Sequence, residues 1–330
     1  MTEERPEADA GKKAMHRLAI GAAAFFLALI GFGLVVTFFG DPRAGEPETR
    51  LDLAATETNA APPAAAPDEG NSSRFVEQTD QGPLPRIAPD GTPPMRAYAA
   101  PIPPGNAPRV ALVVTGLGVG AKETESAINL LPAAVTLAFA PYGGDVQHWV
   151  REARSRGHEV LVEIPMEPAD FPDSDPGPYM LRAGAAVDAN QQRLIWSLTR
   201  FSGYVGATNL AGSRFLAEKK ALTPVFSFLA ERGLLFFDGG KASEAATRDA
   251  AAQAGISFAA SDDAVDAVVA ADEIDKRLAA LADRARTQGR AAGTAFVYPV
   301  TVERISFWAR TLPGKGVVLA PLTAVVSPPK

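Results

Sequence analysis

The chain has 330 residues, 47% hydrophobic and 21% charged, with a net charge of −6, which suits one large domain with appendages and excludes disorder throughout. Zero cysteines exclude a disulfide scaffold, a thiolate zinc site, an iron–sulfur cluster and a cysteine nucleophile, and the three histidines, His16, His148 and His158, leave little imidazole chemistry. Residues 109–330 carry 23 basic against 24 acidic side chains, so most of the chain is neutral and no nucleic-acid partner is expected.

Residues 18–39, LAIGAAAFFLALIGFGLVVTFF, hold no charge over 22 positions. As a helix they cover roughly 30 Å, the thickness of a bilayer's hydrocarbon core, and exceed the apolar run of about 7 to 15 residues found in signal peptides. The sequence therefore predicts a single transmembrane helix over 18–39. Lys12, Lys13 and Arg17 flank its start and Asp41, Arg43, Glu46 and Glu48 its end, which predicts that 1–17 is cytoplasmic. The expected location is the inner (cytoplasmic) membrane, single-pass, with the C-terminal domain in the periplasm. Residues 40–107 follow; positions 41–108 contain 14 of the 28 prolines and few large apolar residues, predicting a disordered linker. Within it, Phe75 to Gln78 is a candidate docking motif, with solvated spacer the simpler reading.

From Arg109 onward short apolar runs alternate with helical patterns. Predicted strands are Val110 to Val114, Val135 to Ala140, Glu159 to Ile164, Tyr204 to Ala207, Leu234 to Phe237, Ile256 to Ala259, Thr294 to Val297 and Val317 to Leu319. Predicted helices cover 121–131, 145–156, 188–201, 216–232, 243–254, 272–289 and 301–311. Apolar strands each followed by a helix require a parallel sheet covered on its faces. The rhythm over 108–330 favours a β/α barrel over an open doubly wound sheet. Either architecture binds ligands where strands end and βα loops begin. Those ends present Thr115, Gly116, Tyr142, Glu163, Glu167, Thr208, Asn209, Ser213, Arg214, Asp238 and Tyr298, while His158 opens its strand on the opposite rim.

VALVVTGLG at 110–118, GHEVLVEIPMEP at 157–168, GATNLAGSRF at 206–215, RGLLFFDGG at 232–240 and AFVYP at 295–299 occur in that order. Together they resemble the divergent polysaccharide deacetylases, a periplasmic branch of the polysaccharide deacetylase superfamily. The resemblance implies an α/β fold, an irregular parallel β/α barrel of the deacetylase type, here preceded by the transmembrane helix and the linker. It also implies that catalysis is lost. The family's two first-strand aspartates correspond to Thr115 and Gly116, its histidine before Leu-Pro-Met-Glu-Pro to Glu163, and its histidine after paired asparagines to Leu210. The first of those asparagines is Thr208, Asp-Ser becomes Asp238-Gly239, and Gly-His-Pro becomes Val297-Tyr298-Pro299.

Metal-assisted deacetylation needs a cation to polarise the carbonyl and an acid for the leaving amine. With no histidine at the strand ends, no metal, no cofactor and no catalytic residue is expected. Glu163, Glu167 and Asp238 could form a carboxylate pair of the glycosidase kind, but backbone bonding by Glu167, and an Asp238 that fixes a neighbouring loop or pairs with Arg214, are simpler. Trp196 and Trp308 read as helix-to-sheet packing, Tyr142 and Tyr298 as ligand candidates, and Asp262 to Asp275 as a solvated face. The candidate ligand-binding residues are Thr115, Glu163, Glu167, Asn209, Ser213, Arg214, Asp238, Tyr142 and Tyr298. The expected partner is a cell-wall glycan or an envelope protein, bound without hydrolysis. The alternative is an active carbohydrate deacetylase acting on acetylated amino sugars.

Overall fold

A computed structural model of the protein describes residues 73–240 and 244–327. The predicted cytoplasmic segment 1–17 and transmembrane helix 18–39 lie outside the described residues, among which no helix is long and apolar enough to cross a membrane. The described chain begins with a short 3₁₀ turn and an antiparallel hairpin, β1 (Val76–Thr79) and β2 (Gly82–Pro85), followed by the single turn α1 (Pro94–Ala97). The repeat then runs β3 (Arg109–Leu117), α2 (Ala121–Leu130), β4 (Thr136–Phe139), α3 (Val146–Ser155), β5 (Val160–Met166) and α4 (Val187–Leu198). It continues with β6 (Gly206–Ala211), α5 (Lys219–Glu231), β7 (Leu235–Asp238), α6 (Glu244–Ala254), β8 (Phe258–Ala260) and β9 (Asp263–Ala264). Last come α7 (Ala271–Gln288), β10 (Arg290–Phe296), α8 (Pro299–Thr311) and β11 (Val318–Leu319).

The strands line up as β8-β7-β6-β5-β4-β3-β10-β9, every neighbouring pair parallel, with β11 beside the start of β3. Only Ser261 and Asp262 separate β8 from β9. The Asp262 amide donates to the Ala292 carbonyl at 2.7 Å, and the Ala292 amide donates to Asp262 Oδ2 at 2.9 Å. One kinked segment thus pairs with β7 in its first half and β10 in its second, joining the two ends of the row into an irregular barrel. This is the parallel β/α fold that the repeat predicted.

Period-two alternation divides each strand between two cores. Leu112, Val114, Leu137, Val162 and Phe236 pack outward against helix residues such as Leu194, Leu229, Leu278 and Ile305. Ala111, Val113, Ala138, Leu161, Phe237 and Ala292 face inward, and Phe75, Tyr98, Leu322 and Val325 join them. The barrel is therefore filled from its N-terminal end by segments that lie outside the repeat.

This packing corrects the predicted linker over 73–107, while residues 40–72 lie outside the described residues. Residues 40–107 were expected to be disordered throughout, yet Phe75, Leu84, Ala88, Tyr98 and Ala100 are buried, and the Phe75 and Tyr98 rings meet edge-on at 5.6 Å. Phe75 to Gln78 docks on its own chain. Arg232 pairs with Glu77 and donates to the Pro85 carbonyl at 3.1 Å, and Arg200 donates to the Gln81 carbonyl at 2.9 Å. A few well-spaced large side chains are enough to hold a proline-rich strap when each one enters a preformed core. Composition averaged over 68 residues dilutes that signal.

Beneath the barrel, Glu159 ties the strap and the C-terminal segment together. Its Oε1 accepts from the Ala100 amide at 3.1 Å and from the Thr323 hydroxyl, and its Oε2 accepts from the Thr323 amide at 3.2 Å. Burial raises its pKa, opposed by those bonds and by Arg154. His158 is buried beside it, with Nδ1 at 2.8 Å from the Val135 carbonyl and Nε2 at 3.3 Å from that of Ile128, and burial lowers its pKa. Both residues serve the structure at the rim opposite the strand ends.

Candidate functional site

A cavity of about 420 Å³ opens where β3, β5, β6 and β10 end, within the range of small-molecule sites. Alternation decides what enters it. Glu159, Leu161 and Glu163 share the inward face of β5, so the two carboxyls sit at opposite ends of the barrel, roughly 13 Å apart at about 3.3 Å per residue. Glu163 is fully buried and lines the cavity. Facing it, β3 slips register between Val114 and Leu117, a bulge that places Gly116 at φ +84°. The Gly116 amide turns inward and donates to Glu163 Oε1 at 2.6 Å. A side chain at Gly116 would collide with the Phe296 ring. Glu163 Oε2 is buried without a partner. Burial pushes the Glu163 pKa up to about 8, with the Gly116 amide opposing it in part, so the carboxyl carries its proton at neutral pH.

Several other donors around the cavity are committed within the protein. Thr115 Oγ1 donates to the Ala295 carbonyl at 3.0 Å, and Thr208 Oγ1 to that of Phe237 at 2.8 Å. Asn209 donates from Nδ2 to the Ala211 carbonyl at 2.6 Å and accepts the Gly239 amide at 2.9 Å, fastening the ends of β6 and β7 together. On another part of the wall, Asp266 Oδ2 accepts the Phe296 amide at 2.7 Å and the Thr301 hydroxyl at 3.1 Å. Burial raises its pKa, and these bonds oppose the rise. The Phe296 ring, 40% exposed, supplies an apolar face.

Of the candidate residues, Thr115, Glu163, Asn209 and Ser213 line this cavity and the others do not. Asp238 follows inward-facing Phe237, so its side chain turns out to the helix layer. There Oδ2 accepts from Thr247 at 2.9 Å and Oδ1 from the Gly240 amide at 2.9 Å, so of the two expected roles Asp238 fixes the neighbouring loop and does not pair with Arg214. Glu167 accepts the Ala183 amide at 2.7 Å and pairs with Arg214 at 3.4 Å. Its carbonyl also accepts the Arg214 and Phe215 amides, so Glu167 and Arg214 knot two loops together. Ser213 Oγ accepts the Ala169 amide at 2.9 Å.

Tyr142 belongs to a separate depression with Trp196 and Arg200, and its hydroxyl accepts the Tyr179 amide at 3.3 Å. Trp196 is only half-buried. Tyr179 stacks flat on it at 3.7 Å, so this ring braces loops in addition to packing on the sheet, whereas Trp308 is buried as expected. Tyr298 caps the start of α8, and Phe296, two residues earlier, holds the strand-end position expected for it.

Asp266 and Phe296 were not singled out from sequence, and the reading of Asp262 to Asp275 as a solvated face fails at Asp266. Phe296 was accessible by extending the inward series Ala292, Thr294, Phe296 along β10. Asp266 had no such signal, because β9 is too short to reveal a period.

A kinked parallel β/α barrel with its cavity at the strand ends defines a barrel of the deacetylase type. The chain belongs to the divergent polysaccharide deacetylase family, whose model matches residues 112–326. An uncharacterized protein from Agrobacterium tumefaciens is 37% identical, with a TM-score of 0.72 over 74% of this chain and 99% of that one. An uncharacterized protein of Haemophilus influenzae is 23% identical over 205 residues, covering 62% of this chain and 72% of the relative. The catalytic domain of a peptidoglycan N-acetylglucosamine deacetylase from Eubacterium rectale overlays with a TM-score of 0.43 at 15% identity, covering 70% of this chain and 95% of that one.

The family resemblance implies a divalent metal at the strand ends. Among the described residues no three His, Cys, Asp or Glu side chains gather at one point. The matching positions hold a threonine, a glycine, a protonated carboxyl and a leucine, Thr115, Gly116, Glu163 and Leu210, a donor set that does not fit such an ion.

Proposed function

We propose that the protein is a non-hydrolytic member of its family, a membrane-anchored, periplasmic domain that binds amino-sugar glycan of the cell wall in the strand-end cavity. One observation carries this reading: the cavity has the size of a ligand site, yet its floor is a single protonated carboxyl, Glu163, and the Gly116, Gly239 and Phe296 amides and the Thr115 hydroxyl already donate within the protein. Hydrolysis of an acetamide requires a group that activates water and donors that receive the developing oxyanion. Gly116, Gly239 and Phe296 have no amide proton left to give, and Asp266 is held by Phe296 and Thr301. Binding needs none of these, because Phe296 can cover a sugar face while hydroxyls meet the remaining acceptors.

The Glu163 proton favours a second reading, an active deacetylase, in one respect: a carboxyl that titrates near 8 suits a general acid. Both readings are tested on the full-length chain by metal analysis, acetate release from partially acetylated chito-oligosaccharides, and calorimetry with the same oligomers. The expected result is binding without stoichiometric metal and without acetate. Metal-dependent acetate release would overturn the proposal. For the anchor, a reporter fused after Lys330 is expected to be active only outside the cytoplasm, and cytoplasmic activity would refute that orientation.

A further inference from the structure

The cavity has an acidic lining. Two carboxyl side chains, Glu163 and Asp266, line it, and among the described lining residues there is no Lys, Arg or His. Several of its donors are engaged within the protein: the Gly116 amide on Glu163, the Gly239 amide on Asn209, the Phe296 amide on Asp266, the Thr115 hydroxyl on Ala295 and one Asn209 Nδ2 hydrogen on Ala211. Glu163 Oε2, which is fully buried, has no hydrogen-bond partner. The protonated Glu163 passes its proton to an amine that enters the cavity, and the resulting ammonium donates back to the carboxylate in a buried ion pair that replaces the hydration the carboxylate lacks.

We infer that this cavity selects the free primary amine of a de-N-acetylated amino sugar, with the ammonium seated on Glu163 and the ring laid against Phe296, in a lining that Asp266 makes more acidic. The inference rests on the glycan-binding reading and narrows it. An acetamido group is the poorer ligand: it carries no charge, and its amide nitrogen does not take up the Glu163 proton. The amine-bearing sugar also sets an order of events, since a de-N-acetylation catalysed elsewhere must supply it.

The test is calorimetric titration of the full-length chain with three probes: a glucosamine hexamer, the fully acetylated hexamer and n-butylamine. The glucosamine hexamer is expected to bind at least tenfold more tightly than either of the others. At least one of Glu163→Gln and Asp266→Asn, each confirmed as folded by its melting transition, is expected to weaken that binding tenfold or more. Equal or tighter binding of the acetylated hexamer overturns the inference and leaves glycan binding standing. Equal binding of n-butylamine overturns the sugar part of it, and affinity unchanged in both variants overturns the assigned site. Failure of both hexamers to bind overturns the inference together with the glycan-binding reading.

Discussion

Replacing Glu163 with glutamine tests the electrostatics of the cavity floor directly. The folded protein holds the Glu163 proton up to about pH 8, whereas an unfolded glutamate releases it near 4.5. Between those values the native state binds more protons than the unfolded chain, so stability declines as pH rises. One pKa unit corresponds to about 1.36 kcal/mol, and integrating the proton difference from about pH 5 to about pH 8 gives a loss of about 3 kcal/mol from this residue alone. Glutamine keeps an oxygen for the Gly116 amide and does not titrate. Glu159 and Asp266, whose pKa values are also raised, contribute equally to both proteins and cancel in the comparison. Urea unfolding at the two pH values is therefore expected to show Glu163→Gln gaining about 3 kcal/mol on the parent between about pH 5 and about pH 8. Parallel pH dependence of the two proteins would refute a buried, unpaired Glu163.

Three further outcomes follow from the packing. Gly116→Ala forces a side chain into left-handed backbone and against Phe296, so urea unfolding is expected to show a loss of about 1–2 kcal/mol. Phe75→Ala empties a position in the inner core and is expected to destabilise by about 3–5 kcal/mol; limited proteolysis of the parent should leave a stable fragment that retains Phe75, not one beginning near Arg109. Glu159→Ala strands the Ala100 and Thr323 amides and is expected to lower stability by about 3 kcal/mol in thermal or urea unfolding.

Much of the barrel was legible in the amino-acid order. The run Val110 to Val114 lies inside β3, the helix expected at 272–289 is α7 at 271–288, and the motifs around Glu163 and Asn209 fall at the ends of β5 and β6. Local periodicity carries this information because burial on one face or on both imposes a repeat within a single element. It does not say which of the two faces points into the barrel. Asp238 and Glu163 each end an apolar strand, yet one faces helix α6 and the other the cavity. Nor can periodicity find partners distant in the chain. Phe75 and Tyr98 under the barrel, the kink that carries 258–264 from β7 to β10, and Asp266 beside Phe296 all depend on which strands close the ring. The substitutions at the strand ends could be read residue by residue. That they leave a buried carboxyl with one oxygen bonded and the other unpartnered was decided by the β3 bulge and by the depth at which the barrel holds Glu163. Desolvation is a property of the enclosing volume, which no single strand contains.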